Sequence, residues 1–330
     1  MDDGNAASIV RPYLRQSLLL HPDTAIRYLL DLARMEDHFD VVLASHLRHG
    51  LLYNISRVFK RQRPKIVFDL HSLSALDNPS MIGYGLSGFE RLVAGWADHV
   101  IVASYELKFQ LSRSGLAPSK MSIIPNGVNL NAFHPSTPVE HYASKRSLGY
   151  EEKFVVVSVC PLNFRPNLLA LNLTLAIAKI LGEESDRITF CIVGVGTDAV
   201  NAPLPSNVRA AGFVKDVRSY LSASDMAIAP YPNNARCGGA RNKVLEYMAC
   251  GLPVLSTIEG MRGIVEAKAG IHYFSSSENP KEFAKSLSEL HIDSQQLPKV
   301  SYQGMHLVQE KYSWGAQAKK LDTTLRKLIS

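Results

Sequence analysis

From about Phe39 to the C-terminus, apolar runs of strand length alternate with helix-length segments. Residues 39–45 (FDVVLAS), 65–72 (KIVFDLHS) and 98–104 (DHVIVAS) are rich in Val and Ile and do not alternate with polar residues. That pattern predicts strands buried on both faces of a parallel sheet. A basic helix ending near Arg63, a helix over 88–96 and another over 106–114 separate them, and KMSIIPNGVNLNAF supplies a short strand closed by a Pro-Asn-Gly turn. A second series follows, with predicted strands at 154–160, 188–194, 208–214, 225–231 and 252–257, helices in the gaps, and a last helix over 314–328. The fold class read from this alternation is α/β with parallel sheets.

Residues 135–150 are polar, carry Pro135 and Pro138 and lack an apolar period, so they read as a linker. The division that follows is a first lobe over 1–134, the linker over 135–150, a second lobe over 151–312 and a final helix over 313–330. The first lobe opens with helix-like, Arg-bearing sequence where a strand and glycine-rich turn would be expected. It therefore reads as a lobe lacking its first strands, to be completed by a partner chain or left incomplete.

Composition narrows the class. The 330 residues are 46% hydrophobic and 20% charged, ordinary for a globular protein. The formal net charge of +6 suits anionic partners without selecting one, and nothing in the sequence points to nucleic acid. The four cysteines lack C-x-x-C spacing and read as reduced thiols. No apolar run reaches the roughly 18 residues of a membrane span, so a cytoplasmic protein is expected, at most peripheral at the inner membrane face. The stretch RVFKRQRPK, from Arg57 to Lys65, packs five basic residues into nine positions. It reads first as a solvated helix end and second as a dock for anionic lipid.

The most informative stretch is CGGARNKVLEYMACGLPVLST, beginning at Cys237. Alone, its Gly-Gly pair is an ordinary turn. Opening directly into a helix, Gly238 and Gly239 let backbone approach a ligand, and the helix's unpaired amides suit a diphosphate. Arg241 and Lys243 add cations there, and Glu246, one turn on, can accept hydrogen bonds from a ribose diol. No Asp-x-Asp cluster stands ready for a metal, and no G-x-G-x-x-G follows an early strand, which disfavours a nicotinamide dehydrogenase.

This stretch resembles the donor-site signature of the "group 1" class of retaining glycosyltransferases, and other segments occur in matching order. IIPNGVNLNAFHP resembles the end of that family's first lobe, and VCPLNFRPNLLAL the turn after the first strand of its second. VRAAGFVKDVRSYLSASDMAIAPY resembles its nucleotide-pocket segment, and EKYSWGAQAKKL the helix that crosses back to the first lobe. The resemblance implies two Rossmann-like lobes facing across a cleft, the GT-B fold, with a nucleoside diphosphate sugar held mainly by the second. It implies donor contacts from Glu246, Gly238, Gly239, Arg241 and Lys243. Arg165 and Asn167 are the candidates beside the diphosphate, and Asn126 and Gly127 border the cleft. His71, after a predicted strand, would reach the donor sugar or the leaving phosphate, with Asp69 suited to orienting it.

Two departures stand out. The family commonly has a second glutamate at the position held here by Gly238, and a glycine where Cys160 and Pro161 stand. The function implied is transfer of a hexose-type unit, with retention and without metal or cofactor, to a hydroxyl on a glycan or lipid-linked acceptor. The alternative is a non-catalytic or partner-dependent nucleotide-binding scaffold; a nucleotide-sugar epimerase fits the motifs less well.

Overall fold

The computed structural model describes residues 39–59, 63–77, 80–184, 187–199 and 203–330. The expectations placed on residues 1–38 and on Lys60 and Arg61 fall outside them.

The first half builds a parallel sheet from β1 (Val41–Ala44), β2 (Lys65–Leu70), β3 (His99–Val102) and β4 (Met121–Ile123), in that spatial order. Helices α1 (Leu47–Ser56), α2 (Ser74–Asp77), α3 (Met81–Trp96) and α4 (Tyr105–Arg113) fill the connections. Ile66, Phe68, Val100 and Val102 pack with Val93 of α3 and with Leu107 and Leu111 of α4. These β-branched and aromatic side chains have no polar alternation because the sheet hides them from water.

Helix α5 (Pro138–Leu148) precedes the second sheet. That sheet is built from β5 (Phe154–Val159), β6 (Ile188–Val193), β7 (Val208–Gly212), β8 (Met226–Ala229), β9 (Val254–Ser256) and β10 (Phe274–Ser275). Its order is β10-β9-β8-β5-β6-β7, all parallel. The helices are α6 (Arg165–Glu184), α7 (Arg218–Ser222), α8 (Asn242–Ala249), α9 (Pro280–Ile292), α10 (Leu297–Lys311) and α11 (Trp314–Ile329). Val155 and Val157 of β5 pack toward Val244, Leu245 and Met248 of α8. Val156 packs on the opposite face with Leu171 and Ile177 of α6 and Phe283 of α9. The strand order reverses between β5 and β8, the switch point beyond whose carboxyl ends open parallel sheets hold their ligand crevice.

Three elements differ from the sequence expectation. Helix α3 starts at Met81, seven residues before the predicted Gly88, with Ser80 capping it by accepting from the Gly83 amide. Glycines at 83, 85 and 88 lower its helix propensity, and tertiary contacts override them. Its buried face includes Ser87 and Glu90. The Glu90 carboxylate accepts from the Ser74 amide at 2.9 Å, and Ser87 Oγ accepts from the Ala75 amide at 2.8 Å. These bonds from α3 thus fix the start of α2, just beyond β2. The segment read as a linker contains α5, started by a Thr137–Glu140 capping box with Pro138 in its first turn and ended by left-handed Gly149. Strand β10 was not anticipated; two residues are too short to show a period.

The two halves are joined by backbone. The Val128 amide donates to Tyr312 O at 2.8 Å, and the Trp314 amide donates back to Val128 O at 3.2 Å. Asn126-Gly127 is not the left-handed turn expected from the dipeptide, since neither residue has positive φ. Gly127 is needed for room instead. A Cβ there would lie 2.8 Å from the Trp314 ring and 3.0 Å from its Cα. Gly127→Ala should therefore lower unfolding stability by about 1–3 kcal/mol, the usual cost of overpacking, read by chemical denaturation.

Candidate active site

The residues singled out from sequence converge on the junction of the two sheets, in three different roles. The first is the glycine pair. Gly238 and Gly239 pass directly against the first lobe. A Cβ on Gly238 would lie 2.8 Å from Ser72 Cα, and one on Gly239 would lie 3.2 Å from Ala103 Cβ. Ser104 Oγ donates to Gly238 O in a short hydrogen bond. The close approach these glycines permit in this structure is to the strand ends of the first sheet.

The second role is structural, and Arg241, expected beside the phosphates, is the residue that fills it. Arg241 is buried, donating to Ala235 O at 2.6 Å and pairing with Glu259 at 3.1 Å. Its guanidinium also lies 3.4 Å from the Tyr231 ring centroid. Glu259, equally buried, pairs with Arg262 at 2.7 Å as well. A fully buried arginine with a buried carboxylate partner belongs to the wall of the site. Asn167 is likewise buried and satisfied. Its Nδ2 donates to Pro161 O, while Oδ1 accepts from Tyr231 at 2.9 Å and from Lys243 Nζ at 2.7 Å. It holds the lysine.

The third group remains open. Helix α8 begins with no side-chain cap. Among the described residues no acceptor meets the amides of Asn242 and Lys243, the groups a helix offers to anions. The helix is anchored by Tyr247, whose hydroxyl accepts from the Val159 amide at the end of β5. Burial pushes the Lys243 ammonium down to about 8, since desolvation penalises its charge. One turn on, Glu246 is half-buried, and desolvation raises its pKa against the opposing pull of Lys243. Its carboxylate has no hydrogen-bond partner among the described residues. Arg165, the first residue of α6, which follows β5, is exposed and unpaired among the same residues.

On the opposing lobe, His71 follows β2 and is half-exposed. Its Nε2 faces Asp69 Oδ2 at 3.2 Å and its Nδ1 faces Asn126 Oδ1 at 3.2 Å. The Asp69 hydrogen bond is the largest cause of a raised His71 pKa. Asn126 Nδ2 donates in turn to Asn242 Oδ1 at 2.9 Å, crossing to α8. Sequence reasoning missed Asn242, Ser104 and Glu259. Asn242 lay within the Arg-Asn-Lys triplet that was read only for its charges, whereas no local signal marks the other two. Of the basic stretch from Arg57 to Lys65, Arg57 is engaged with Asp98. None of the four cysteines forms a disulfide. No group of three metal-ligating side chains converges among the described residues, and no helix among them is long and apolar enough to cross a membrane.

These roles separate by experiment. Arg241→Met should cost about 3 kcal/mol of stability, the lower end for breaking a buried pair because Arg262 stays on Glu259. Arg165→Ala should leave the denaturation midpoint within about 0.5 kcal/mol of the parent, as for other exposed positions.

Comparison with known proteins places the chain in a family. Residues 3–132 match the model described as Glycosyltransferase Family 4, and residues 154–293 match Glycosyl transferases group 1. No curated protein sequence matches the chain. Among solved structures, Anabaena HepE in complex with UDP and glucose is 18% identical with a TM-score of 0.76, over 94% of this chain and 83% of that one. Sucrose-phosphate synthase from Thermosynechococcus elongatus is 16% identical with a TM-score of 0.70, over 96% and 80%. A glycosyltransferase from Rickettsia africae is 16% identical with a TM-score of 0.73, over 97% and 85%. With a family-4 domain leading into a group 1 domain on the GT-B fold, the chain is a glycosyltransferase.

Proposed function

We propose that the chain transfers a hexose-type unit from a nucleoside diphosphate sugar, seated at the β5–β8 crevice, to a hydroxyl on a glycan or lipid-linked acceptor. The observation that carries this reading is the unpartnered, half-buried carboxylate of Glu246, one turn into an uncapped helix that also bears Lys243. A ribose diol supplies the donors that carboxylate lacks. The diphosphate meets the α8 amides, the Lys243 ammonium and, from the far side of the crevice, Arg165. Gly238 and Gly239 then contribute backbone near the sugar while resting on the first lobe.

Catalysis on this reading is positioning plus electrostatic stabilisation of the departing diphosphate. The leaving-group charge falls on the helix terminus and on Lys243, and the scheme calls on no metal. Retention at the anomeric carbon is the outcome the family resemblance implies. UDP is the first nucleotide to try because HepE is seen with UDP and glucose. One feature favours the scaffold reading: Gly238 stands where the family commonly has a glutamate, and its carbonyl is already bonded to Ser104. Turnover of a nucleoside diphosphate sugar by the purified chain would exclude it.

Two outcomes test the donor site. UDP, GDP or ADP should raise the melting temperature of the chain in proportion to the logarithm of its concentration over Kd. Glu246→Ala should weaken that nucleotide by roughly 10- to 100-fold, as expected for a lost charge-assisted hydrogen bond; unchanged affinity would place the nucleotide elsewhere.

The second outcome follows from Lys243. A lysine lowered to about 8 is half neutral at pH 8 in the empty site, and an adjacent diphosphate restores its charge. Binding at pH 8 should therefore take up roughly half a proton from solvent. Calorimetry in buffers of different ionisation enthalpy reads this uptake, and the lysine's share of it should be lost in Lys243→Met. In the empty protein the unfolded chain binds more protons between about pH 8 and 10.4, so this residue's contribution to stability rises with pH across that window.

A further inference from the structure

We propose that Asn126 and Asn242 form a positioning pair for His71, two amides that bridge the lobes and hold the imidazole as a double donor beside the donor helix. The inference rests on the donor-site reading above and extends it to residues for which that reading has no use. Three hydrogen bonds make a continuous chain: Asp69 Oδ2 to His71 Nε2, His71 Nδ1 to Asn126 Oδ1, and Asn126 Nδ2 to Asn242 Oδ1. Both acceptors facing the ring are oxygens, so the arrangement is complete when both ring nitrogens carry a proton. Because Asn126 gives its amide protons to Asn242, its oxygen is the atom left for the imidazole. Asn242 thereby sets which way Asn126 points, and through it the ionisation that the ring prefers.

The placement of the pair gives it a purpose. Asn126 follows β4 of the first lobe, and Asn242 is the first residue of α8, next to Lys243. The chain ties the imidazole to the helix whose amides and lysine are assigned to the diphosphate. Asp69 is the one charged side chain acting on the ring among the described residues, and it raises the pKa. Gln317 and Trp314 of α11 share with His71, Asp69 and Asn126 the wall of a cavity of about 210 Å³, and neither carries charge. His71 acts here as a fixed cation toward the departing diphosphate. It keeps its proton throughout, and no bond to it is made or broken.

The test uses the full chain and needs no acceptor. NMR titration of the histidine rings in the wild type should give a His71 midpoint above the ordinary value near 6.5. In Asn242→Ala, Asn126 loses its anchor and the midpoint should fall. In Asn242→Asp, which retains an accepting oxygen, it should stay at or above the wild-type value. UDP affinity in the wild type should weaken as pH rises through that midpoint, and in Asn242→Ala the weakening should begin at lower pH. An Asn242→Ala protein with unchanged His71 titration and unchanged pH dependence of UDP affinity would overturn the pair. Failure of the wild type to bind UDP at any pH would count against the donor-site reading, while the ring titrations would still decide the pair on their own.

Discussion

The arrangement depends on one close approach, that of the glycine loop before α8 to the strand ends of the first sheet. Ser104 holds Gly238 O, and the spaces that Cβ atoms at 238 and 239 would take are filled by Ser72 and Ala103. With any other residue pair the second lobe would have to back away. The start of α8 would then leave Asn126, and with it His71. The same helix carries Lys243 and Glu246, so the contact that joins the lobes also sets the height of the charged groups over the crevice.

The charges around that contact divide into a buried set and an open set. Arg241 pairs with Glu259 inside the wall, and the partly exposed Arg262 joins Glu259 and extends toward Glu106 of α4 at 3.9 Å, so two arginines meet two carboxylates. Self-paired in this way, they hold the loop in shape and have little left for a ligand. Lys243 and Glu246 are desolvated without being fully paired, a costly state for an empty site and one that an anionic, hydroxyl-bearing ligand relieves. The protein has kept strain of this kind at α8 while satisfying nearly everything beneath it, the pattern expected where binding occurs.

Much of the fold was legible because parallel strands buried on both faces are written as unbroken Val/Ile runs, and those at 65–70, 154–159 and 188–193 are of this kind. Helix α8, the proposed donor helix, was legible from the glycine pair that opens into it. What escaped was set by partners far away in sequence. Ser104 and Gly238 are 134 residues apart, and Asn126 and Asn242 are 116 apart, so no local spacing could join them. Nothing local foretold the burial of Arg241, which comes from Tyr231 and Glu259, brought together only in the folded chain. Gly127 looked like a turn residue because the dipeptide rule is local, whereas Trp314 claims the space. Helix α5 did carry its own signal, Thr-Pro-Val-Glu at 137–140, but its exposed faces show no apolar period to support it.

The most direct measurement is a crystal structure of the chain grown with UDP. The account predicts a diphosphate over the first turn of α8 within hydrogen-bond distance of the Asn242 and Lys243 amides, with the ribose hydroxyls on Glu246. UDP bound elsewhere, with Glu246 still unpartnered, would contradict it.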